Sequence, residues 1–308
     1  MSTRVDPLGV RSQQPERLNY ATGILLDAQD FRAEQLYHRG RLARALAYLH
    51  GYGTVAGLRV GWTPPLAPNA DPNLPQGRAE QLTVGPGLAL DRLGRLIEAP
   101  SGLCLLLDNW YQNQEPSRLA QAVVTDFAFR DEDVEEGLEA GDADVTVPSA
   151  VIADLFIRFV ECEAGKTPAF ATGPFDALDA VQAARLRDGF ELSLLARPGG
   201  NPPPPLDPWA DVDPNAPPAD RLVALRKLAF GLWREDTEDW GPDGPDPLSE
   251  HAAGQNTTDL FLARVVIPAT SNGAEALPTR VAGAKVYRLS SLRRFVYPSG
   301  LLAHLLSI

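Results

Sequence analysis

The sequence predicts a mainly β protein with a few packing helices, an α+β fold built from antiparallel sheets or sandwich units. Apolar and polar residues alternate in many short runs, and this period of two is typical of half-buried strands. Prolines make up 28 of the 308 residues, a proportion that favours turns and loops over long helices. One stretch near the N-terminus is the exception, because its apolar period is helical.

The chain is long enough for two hydrophobic cores, because single cores stop growing near ~250 to 300 residues. Residues 1–17 are polar and punctuated by proline, and we expect an N-terminal arm there. A helix with an antiparallel β domain is expected over 18–130, an acidic linker over 131–148, and a second mainly β domain over 149–308. Consecutive prolines within 198–218 predict an extended proline-rich insertion in the second domain.

The N-terminal helix is predicted to run from Ala28 to Leu49. Asp27 precedes it and is a favoured N-cap, because its carboxylate accepts hydrogen bonds from free backbone N–H groups. At about 100° per residue, one apolar stripe is predicted to pack on a sheet. Its residues are Phe31, His38, Leu42, Ala45, Leu46 and Leu49. Leu36 and Tyr37 lie off this stripe, and we expect them to bind a partner.

A glycine-rich segment and a hairpin-like run follow the helix. Glycine without a Cβ suits places where a strand turns or passes close to another backbone, so the segment describes a scaffold. Period-two runs flank residues 91–94, and Gly94 suits the left-handed position of a bulged turn. We therefore predict an antiparallel hairpin over residues 88–98. The residues of this structural motif are His50, Gly51, Gly53, Gly57, Pro86, Gly87, Asp91 and Gly94.

Later elements are also mostly strands. They are predicted at residues 103–107, 122–129, 152–163, 190–195, 260–267 and 281–289. The run 155–160 is apolar on both faces apart from Arg158, which is typical of a strand in the middle of a sheet. A packing helix is predicted from Asp220. Its apolar face would contain Leu222, Leu225, Ala229 and Leu232.

Charge and apolar patterns disfavour several classes of partner. The formal net charge of −12 repels phosphate backbones, and no basic run offsets it, so no nucleic-acid partner is expected. The sequence has no apolar run of about 18 residues and no signal-peptide pattern, so we expect a cytoplasmic protein without direct membrane insertion. Cys104 and Cys162 lie in apolar runs without a CxxC spacing and are expected to be buried and reduced.

No catalytic, cofactor-binding or metal-binding residues are predicted. Segment 51–57 is a near miss to the dinucleotide fingerprint, but it follows a helix and leads into strands, the reverse of that motif. His50 at a helix end is better explained by capping, and His38 by packing on the apolar stripe. Carboxylates over residues 236–246 suit Ca²⁺ but lack EF-hand spacing, so a solvated loop is favoured over a calcium site. No hydrolase, zincin or P-loop motif supports an enzyme.

Aromatic side chains suggest an alternative function. Most of them lie at loop or element ends, where such side chains bind carbohydrate or protein surfaces. The alternative is therefore a surface-binding module, either an adhesin or a carbohydrate binder, and an aromatic-lined groove would distinguish it from a structural subunit. The residues are Trp62, Trp110, Tyr111, Trp209, Trp233 and Trp240.

Several segments in combination resemble a known group of proteins. They are residues 20–26 with Asp30, Phe31, Glu34 and Gln35, the glycine-rich segment 49–60, the proline-glycine hairpin residues 84–91 with Gly94 and Arg95, residues 155–162 with 166–168, and residues 185–192 and 260–265. Together these segments are similar to a family of uncharacterised proteins from gene clusters for phage-tail-like contractile injection particles. The resemblance spans most of the chain and implies a structural role. Residues 169–184 lack the extra cysteines of several members, so no metal knuckle is implied.

The predicted function is a non-enzymatic structural or adaptor subunit of such a particle, a baseplate or other tail-associated component. Its partners would be other subunits of the assembly, in several symmetric copies, and no cofactor is expected. Its position in the particle is left open. A leucine-rich segment at the end of the sequence is expected to be covered partly by a neighbouring subunit. The leucines of that segment are Leu301, Leu302, Leu305 and Leu306.

Overall fold

The computed structural model describes residues 16–130, 144–168, 181–206, 213, 215–231 and 245–299. The helices are α1 (Ala28–His50), α2 (Leu107–Gln112), α3 (Pro116–Gln121) and α4 (Pro218–Gly231). The strands are β1 (Gly53–Gly57), β2 (Val60–Thr63), β3 (Gln81–Val84), β4 (Gly87–Leu90), β5 (Leu96–Ala99), β6 (Leu103–Leu106), β7 (Val123–Arg130), β8 (Asp144–Pro168), β9 (Val181–Ala196), β10 (Leu260–Thr270), β11 (Thr279–Arg280) and β12 (Tyr287–Leu289). The predicted fold class is confirmed: the protein is mainly antiparallel β with packing helices, one of them near the N-terminus.

The strands of the described residues form three sheets. Two are small, with the orders β1–β4–β5 and β2–β3–β6. The third has the order β11–β10–β8–β7, and β12 and β9 also pair with β10 and β8. β8 is 25 residues long; β10 lies along one of its edges, and β7 and then β9 lie along the other. Beyond Ile157, the described part of β8 pairs only with β9, and the two strands continue as the β8–β9 ribbon.

Both faces of β8 contribute to hydrophobic clusters, as predicted for a strand in the middle of a sheet. Val151 and Leu155 face the main core, which also contains Leu58 and Leu82 from the first half of the chain. Ile152 faces a second cluster on the other side. Because the main core combines residues from both halves of the chain, the two halves are packed together.

Two predictions about the chain's organisation differ from the structure. β7 pairs with β8, which already begins at Asp144, so residues 144–148 belong to a strand and not to a linker. The alternating Val145 and Val147 explain this, because both face the second cluster. Leu222, expected on the packing face of α4, is exposed. The arm up to residue 15 and the linker residues 131–143 lie outside the described residues.

The prediction that Cys104 and Cys162 are buried is wrong, because both side chains are exposed; both are free thiols, which agrees with the expected reduced form. Cys104 lies on β6, where the side chains alternate between partly covered and exposed, and Cys162 lies on the β8–β9 ribbon. Each apolar run is a strand with one outward face. Among the described helices, none combines the length and apolar character that a membrane crossing requires.

Candidate interaction surface

Both ends of α1 are closed by their own sequence. The Oδ1 atom of Asp27 accepts hydrogen bonds from the backbone N–H of Gln29 at 2.7 Å and of Asp30 at 3.0 Å. Asp30 completes a capping box, because its Oδ2 accepts the N–H of Asp27 at 2.9 Å. Gly51 ends the helix and donates its N–H to the Ala47 carbonyl at 3.0 Å. The predicted N-cap is therefore confirmed.

Small residues dock α1 on the β4–β5 hairpin. A Cβ on Gly94 would lie 1.8 Å from the carbonyl oxygen of Ala43, so only glycine permits this approach of the two backbones. Ala43 is 5% exposed. Gly40 and Ala47 follow the same side of the helix at helical spacing. We call the side formed by Leu36, Gly40, Ala43 and Ala47 the inner face.

An ion pair forms a second anchor for α1. Arg39 Nη2 donates to Glu161 Oε1 on β8 at 2.8 Å. Both side chains are partly exposed, so the pair contributes little stability. It does fix which side of α1 points toward the β8–β9 ribbon.

The opposite side of α1, which we call the outer face, is apolar and exposed. Phe31, Leu42 and Leu49 are 50%, 60% and 77% exposed. The prediction that this stripe packs on a sheet is therefore wrong for these residues, while Leu46 at its margin is half-buried. The physical reason is the Gly94 contact: only the small residues of the inner face allow the helix axis to come so close to the hairpin.

The segment before α1 adds apolar surface. Tyr20, Ile24 and Leu25 are 56%, 50% and 95% exposed. The Tyr20 hydroxyl donates a hydrogen bond to Glu34 on α1, and this bond raises the pKa of Tyr20. The contact places the segment beside the helix. We call Tyr20, Ile24 and Leu25 together with the outer face the α1 surface.

Leu36 and Tyr37, the predicted partner-binding residues on α1, are both half-buried. Leu36 belongs to the inner face, and the Tyr37 ring contacts the neighbouring His38 ring edge-on with centroids 5.3 Å apart. Less of their surface is open to a partner than on the outer face. The other predicted partner-binding residues lie outside the described residues, namely Leu301, Leu302, Leu305 and Leu306.

Three glycines of the motif, Gly53, Gly57 and Gly87, lie where backbones approach one another. Gly57 pairs with Gly87 across β1 and β4. A Cβ on Gly57 would lie 2.2 Å from the Pro86 oxygen, and one on Gly53 would lie 2.6 Å from the Arg294 oxygen. These contacts join β1 to the β4–β5 hairpin and to the last described segment. His50 is exposed in the last turn of α1.

The predicted turn over residues 91–94 is confirmed. Asp91 Oδ1 accepts the backbone N–H groups of Leu93 and Arg95, each at 2.9 Å. Arg95 Nε donates to the other carboxylate oxygen at 2.6 Å. The N–H of Gly94, whose φ is +80°, donates to the Asp91 carbonyl. The buried Asp91 thus holds the hairpin turn on which α1 docks.

A buried ion network crosses the largest sheet, and the sequence analysis missed it. Asp154 on β8 accepts two hydrogen bonds from Arg264 on β10, at 2.8 and 2.9 Å, and one from Arg197 at 2.8 Å. All three side chains are at most 5% exposed. Arg197 also donates to the Glu250 carbonyl at 3.1 Å, and burial lowers its pKa. Because these partners belong to the chain itself, the network has a structural role.

Two further titratable groups hold the segment before β10. His251 Nδ1 accepts the Leu248 N–H at 3.1 Å, so Nε2 carries the proton and donates to the Asp259 carbonyl at 3.0 Å. Burial lowers the pKa of His251 and thereby favours this neutral ring. Burial also raises the pKa of Asp259 to about 6. The Asp259 Oδ2 atom accepts a hydrogen bond from Gln255 at 3.1 Å, so both side chains make contacts within the chain.

The described members of the predicted aromatic set also make internal contacts. Trp62 Nε1 donates to Glu80 at 2.8 Å, and Trp110 Nε1 donates to the Leu194 carbonyl at 2.8 Å. Tyr111 is 1% exposed and donates to the Pro278 carbonyl at 3.1 Å. Trp209, Trp233 and Trp240, like most of the acidic loop 236–246, lie outside the described residues.

Other parts of the described surface are weaker candidates for a functional site. A shallow groove of about 450 Å³ lies on the β2–β3–β6 sheet, and its lining residues are Arg59, Gly61, Thr83, Val84, Gly85, Gly102, Leu103 and Cys104. Within the residues that the structure describes, no three His, Cys, Asp or Glu side chains lie close enough to hold a metal ion together. The α1 surface is therefore the candidate that the geometry supports best.

Comparisons with known proteins do not assign the chain to a family. No protein-family model matches it, and no curated protein matches it either.

Proposed function

We propose that this protein is a non-enzymatic structural or adaptor subunit of a multi-copy protein assembly. The α1 surface is the observation that supports this proposal. The helix is capped at both ends and docked through its inner face, while Phe31, Leu42 and Leu49 are exposed on the other side. Covering apolar surface stabilises a complex by roughly 25 cal/mol per Å², so large exposed apolar side chains that recur along one face of a docked helix suit an interaction site.

The β8–β9 ribbon supports the same function. It extends beyond the last residue of β8 that pairs with β10, and Leu186 on it is 49% exposed. Charged residues such as Arg185 and Glu163 lie along it, and charges on free strand edges prevent uncontrolled strand addition. Arg39 ties the ribbon to α1. The two elements are therefore joined, and the exposed residues on both are suited to contacts between subunits.

The setting that we propose is a phage-tail-like contractile injection particle, with the subunit assembled in the cytoplasm at a baseplate or other tail-associated position. The resemblance of the glycine-rich segment and the hairpin motif to that family motivates this setting. Cryo-EM of particles purified from the source organism tests it. We expect density for this chain at a repeated, symmetric position; if the chain is found only as a free monomer, separate from any particle, the proposal is wrong.

A surface-binding module is the second candidate, and one observation favours it. Phe295 and Tyr297 are 43% and 53% exposed, and their rings stack with centroids 6.0 Å apart. Exposed aromatic rings are common in carbohydrate sites. A glycan array compares the two candidates: binding to a defined glycan class that Phe295→Ala abolishes, with an unchanged circular dichroism spectrum, would favour the module. If no glycan binds above background, the structural role remains the preferred candidate.

A further inference from the structure

We propose that α1 pairs with α1 of a second copy of this chain, in antiparallel orientation, through the two outer faces. This inference deepens the proposed function and rests on it in one respect, that the α1 surface is covered within an assembly. It goes further by naming what covers this surface, namely a second copy of the chain. Three observations carry it: the charge distribution along α1, the position of one charged pair on its flank, and the placement of its exposed apolar residues.

Charge is distributed unevenly along α1. The N-terminal part carries Asp27, Asp30 and Glu34 against the single cation Arg32, whereas the C-terminal part carries Arg39, Arg41 and Arg44 without an acidic residue. Two parallel copies would bring like charges together. Two antiparallel copies bring the acidic part of each helix to the basic part of the other. Their helix dipoles then point in opposite directions, which is also favourable. The charge pattern of α1 is thus self-complementary in one orientation.

Glu34 and Arg41 make this complementarity specific. They are seven residues apart, about two helical turns, and therefore lie on the same flank of the outer face. A two-fold axis perpendicular to both helices relates the antiparallel copies, and it leaves this flank of one helix beside the same flank of the other. Glu34 of each copy therefore meets Arg41 of the other copy, and the ion pair forms twice in the dimer. Arg41 is exposed, and the side chain of Glu34 is 31% exposed.

The apolar residues match in the same register. With the axis near His38, Phe31 of one copy lies opposite Leu42 and Leu46 of the other. Leu49 then lies opposite the start of the other α1, where Ile24 and Leu25 are exposed. A stable interface buries roughly 800 Å² per partner, so the segment before α1 is needed in addition to one helix face. The large exposed apolar residues of the α1 surface are therefore used together.

Sedimentation velocity on the purified protein, measured over a range of concentrations, tests this pairing by charge exchange. We expect a dimer whose dissociation constant rises roughly tenfold in Glu34→Arg and in Arg41→Glu, because each variant places like charges opposite one another. Glu34→Arg also removes the Tyr20–Glu34 hydrogen bond, so Tyr20→Phe is measured as the reference for the variants that change Glu34. The double variant exchanges the two charges and should restore dissociation to within about threefold of Tyr20→Phe. Circular dichroism confirms that each variant is folded.

Matched leucine variants complete the test. Leu42→Asp should abolish the dimer, and Leu206→Asp should leave it unchanged, since these two leucines are 60% and 62% exposed and only Leu42 lies on the outer face. The inference is overturned if the wild type is monomeric throughout, or if the double charge variant is weakened by as much as the two single variants combined.

The same experiments separate this inference from the proposed function. A monomeric wild type that is nevertheless found at a symmetric position in particles overturns the α1 pairing and leaves the proposed function standing. A wild-type dimer that follows the charge-exchange pattern but is absent from every particle overturns the proposed function and leaves the pairing standing.

Discussion

The Asp154 network and the outer face of α1 reverse the usual distribution of charged and apolar groups. Asp154, Arg197 and Arg264 are buried, although burying a charge is costly unless it is paired and hydrogen-bonded. Phe31 and Leu42 are exposed although they are apolar. We call the network the closed region, because both oxygens of Asp154 are paired within the chain, and we call the outer face the open region. The comparison shows that a group's partners, more than its polarity, distinguish a structural role from an interaction role.

Removing Asp154 should have the largest effect on the closed region. Asp154→Ala leaves the guanidinium groups of Arg197 and Arg264 buried without their carboxylate, and breaking a buried pair in this way costs about 3 to 5 kcal/mol. Urea unfolding measures the loss. Glu191→Ala is the control, because its pair with Arg158 is partly exposed and should contribute less than about 1 kcal/mol. Equal losses in the two variants would show that the network is not closed.

Asp259, in the segment before β10, should make the stability of the protein sensitive to pH. Its pKa of about 6 in the folded protein exceeds the value of about 4 in an unfolded chain. Between these values the folded protein binds more protons, so the contribution of Asp259 to the free energy of unfolding falls as pH rises from about 4 to 6. The fall is on the order of 3 kcal/mol.

Comparison with Asp259→Asn isolates this contribution. The free energy of unfolding of the wild type minus that of the variant should decrease across the interval from about pH 4 to 6. His251 acts in the opposite direction, because its lowered pKa removes stability as pH falls, but it is present in both proteins and cancels. A difference that is flat or rises with pH would contradict the assignment.

Gly94 tests why α1 exposes its outer face. Gly254→Ala is the control, since Gly254 has a φ of +75° and no atom within 4 Å of the added Cβ, so it measures only the left-handed backbone cost of roughly 1 to 2 kcal/mol. Gly94→Ala adds a collision with the Ala43 backbone and should lose a further ~1 to 3 kcal/mol. In limited proteolysis, α1 of the Gly94→Ala variant should also be cut faster than α1 of the wild type. Equal losses would mean that the Gly94 contact does not dock the helix.

Leu42→Ala should have the smallest effect on the isolated chain. Exposed substitutions usually change stability by less than about 0.5 kcal/mol, whereas Leu82→Ala, at a leucine 1% exposed, should lose about 2 to 5 kcal/mol. Unfolding at low protein concentration keeps association out of the measurement. A loss above about 2 kcal/mol for Leu42→Ala would place this residue in an intramolecular core.

Local signals in the sequence predicted much of the fold. Asp27 identified the start of α1, and the residues around Gly94 identified the hairpin, because capping and turn chemistry depend on near neighbours. The apolar run around Leu155 identified the central strand of a sheet, because both faces of such a strand are covered. These inferences required no knowledge of distant contacts.

The candidate site depended on contacts between distant residues, and the sequence did not reveal it. The stripe containing Leu42 is the more apolar side of α1, but the side that docks was decided by Ala43 and Gly94, which are brought together only by the fold. Asp154 and Arg264 are 110 positions apart. The available signal was one charged residue within each of two apolar runs, Asp154 in residues 150–157 and Arg264 in residues 260–268.

Incorporation of outer-face variants into particles tests the central claim most directly. Tagged wild type, Leu42→Asp and Leu206→Asp are expressed in the source organism, and the amount of each in purified particles is measured by quantitative mass spectrometry. We expect wild type and Leu206→Asp at equal levels, and Leu42→Asp, although folded, at less than about a tenth of that level. Incorporation of Leu42→Asp at the wild-type level would show that the outer face of α1 is not an interaction surface.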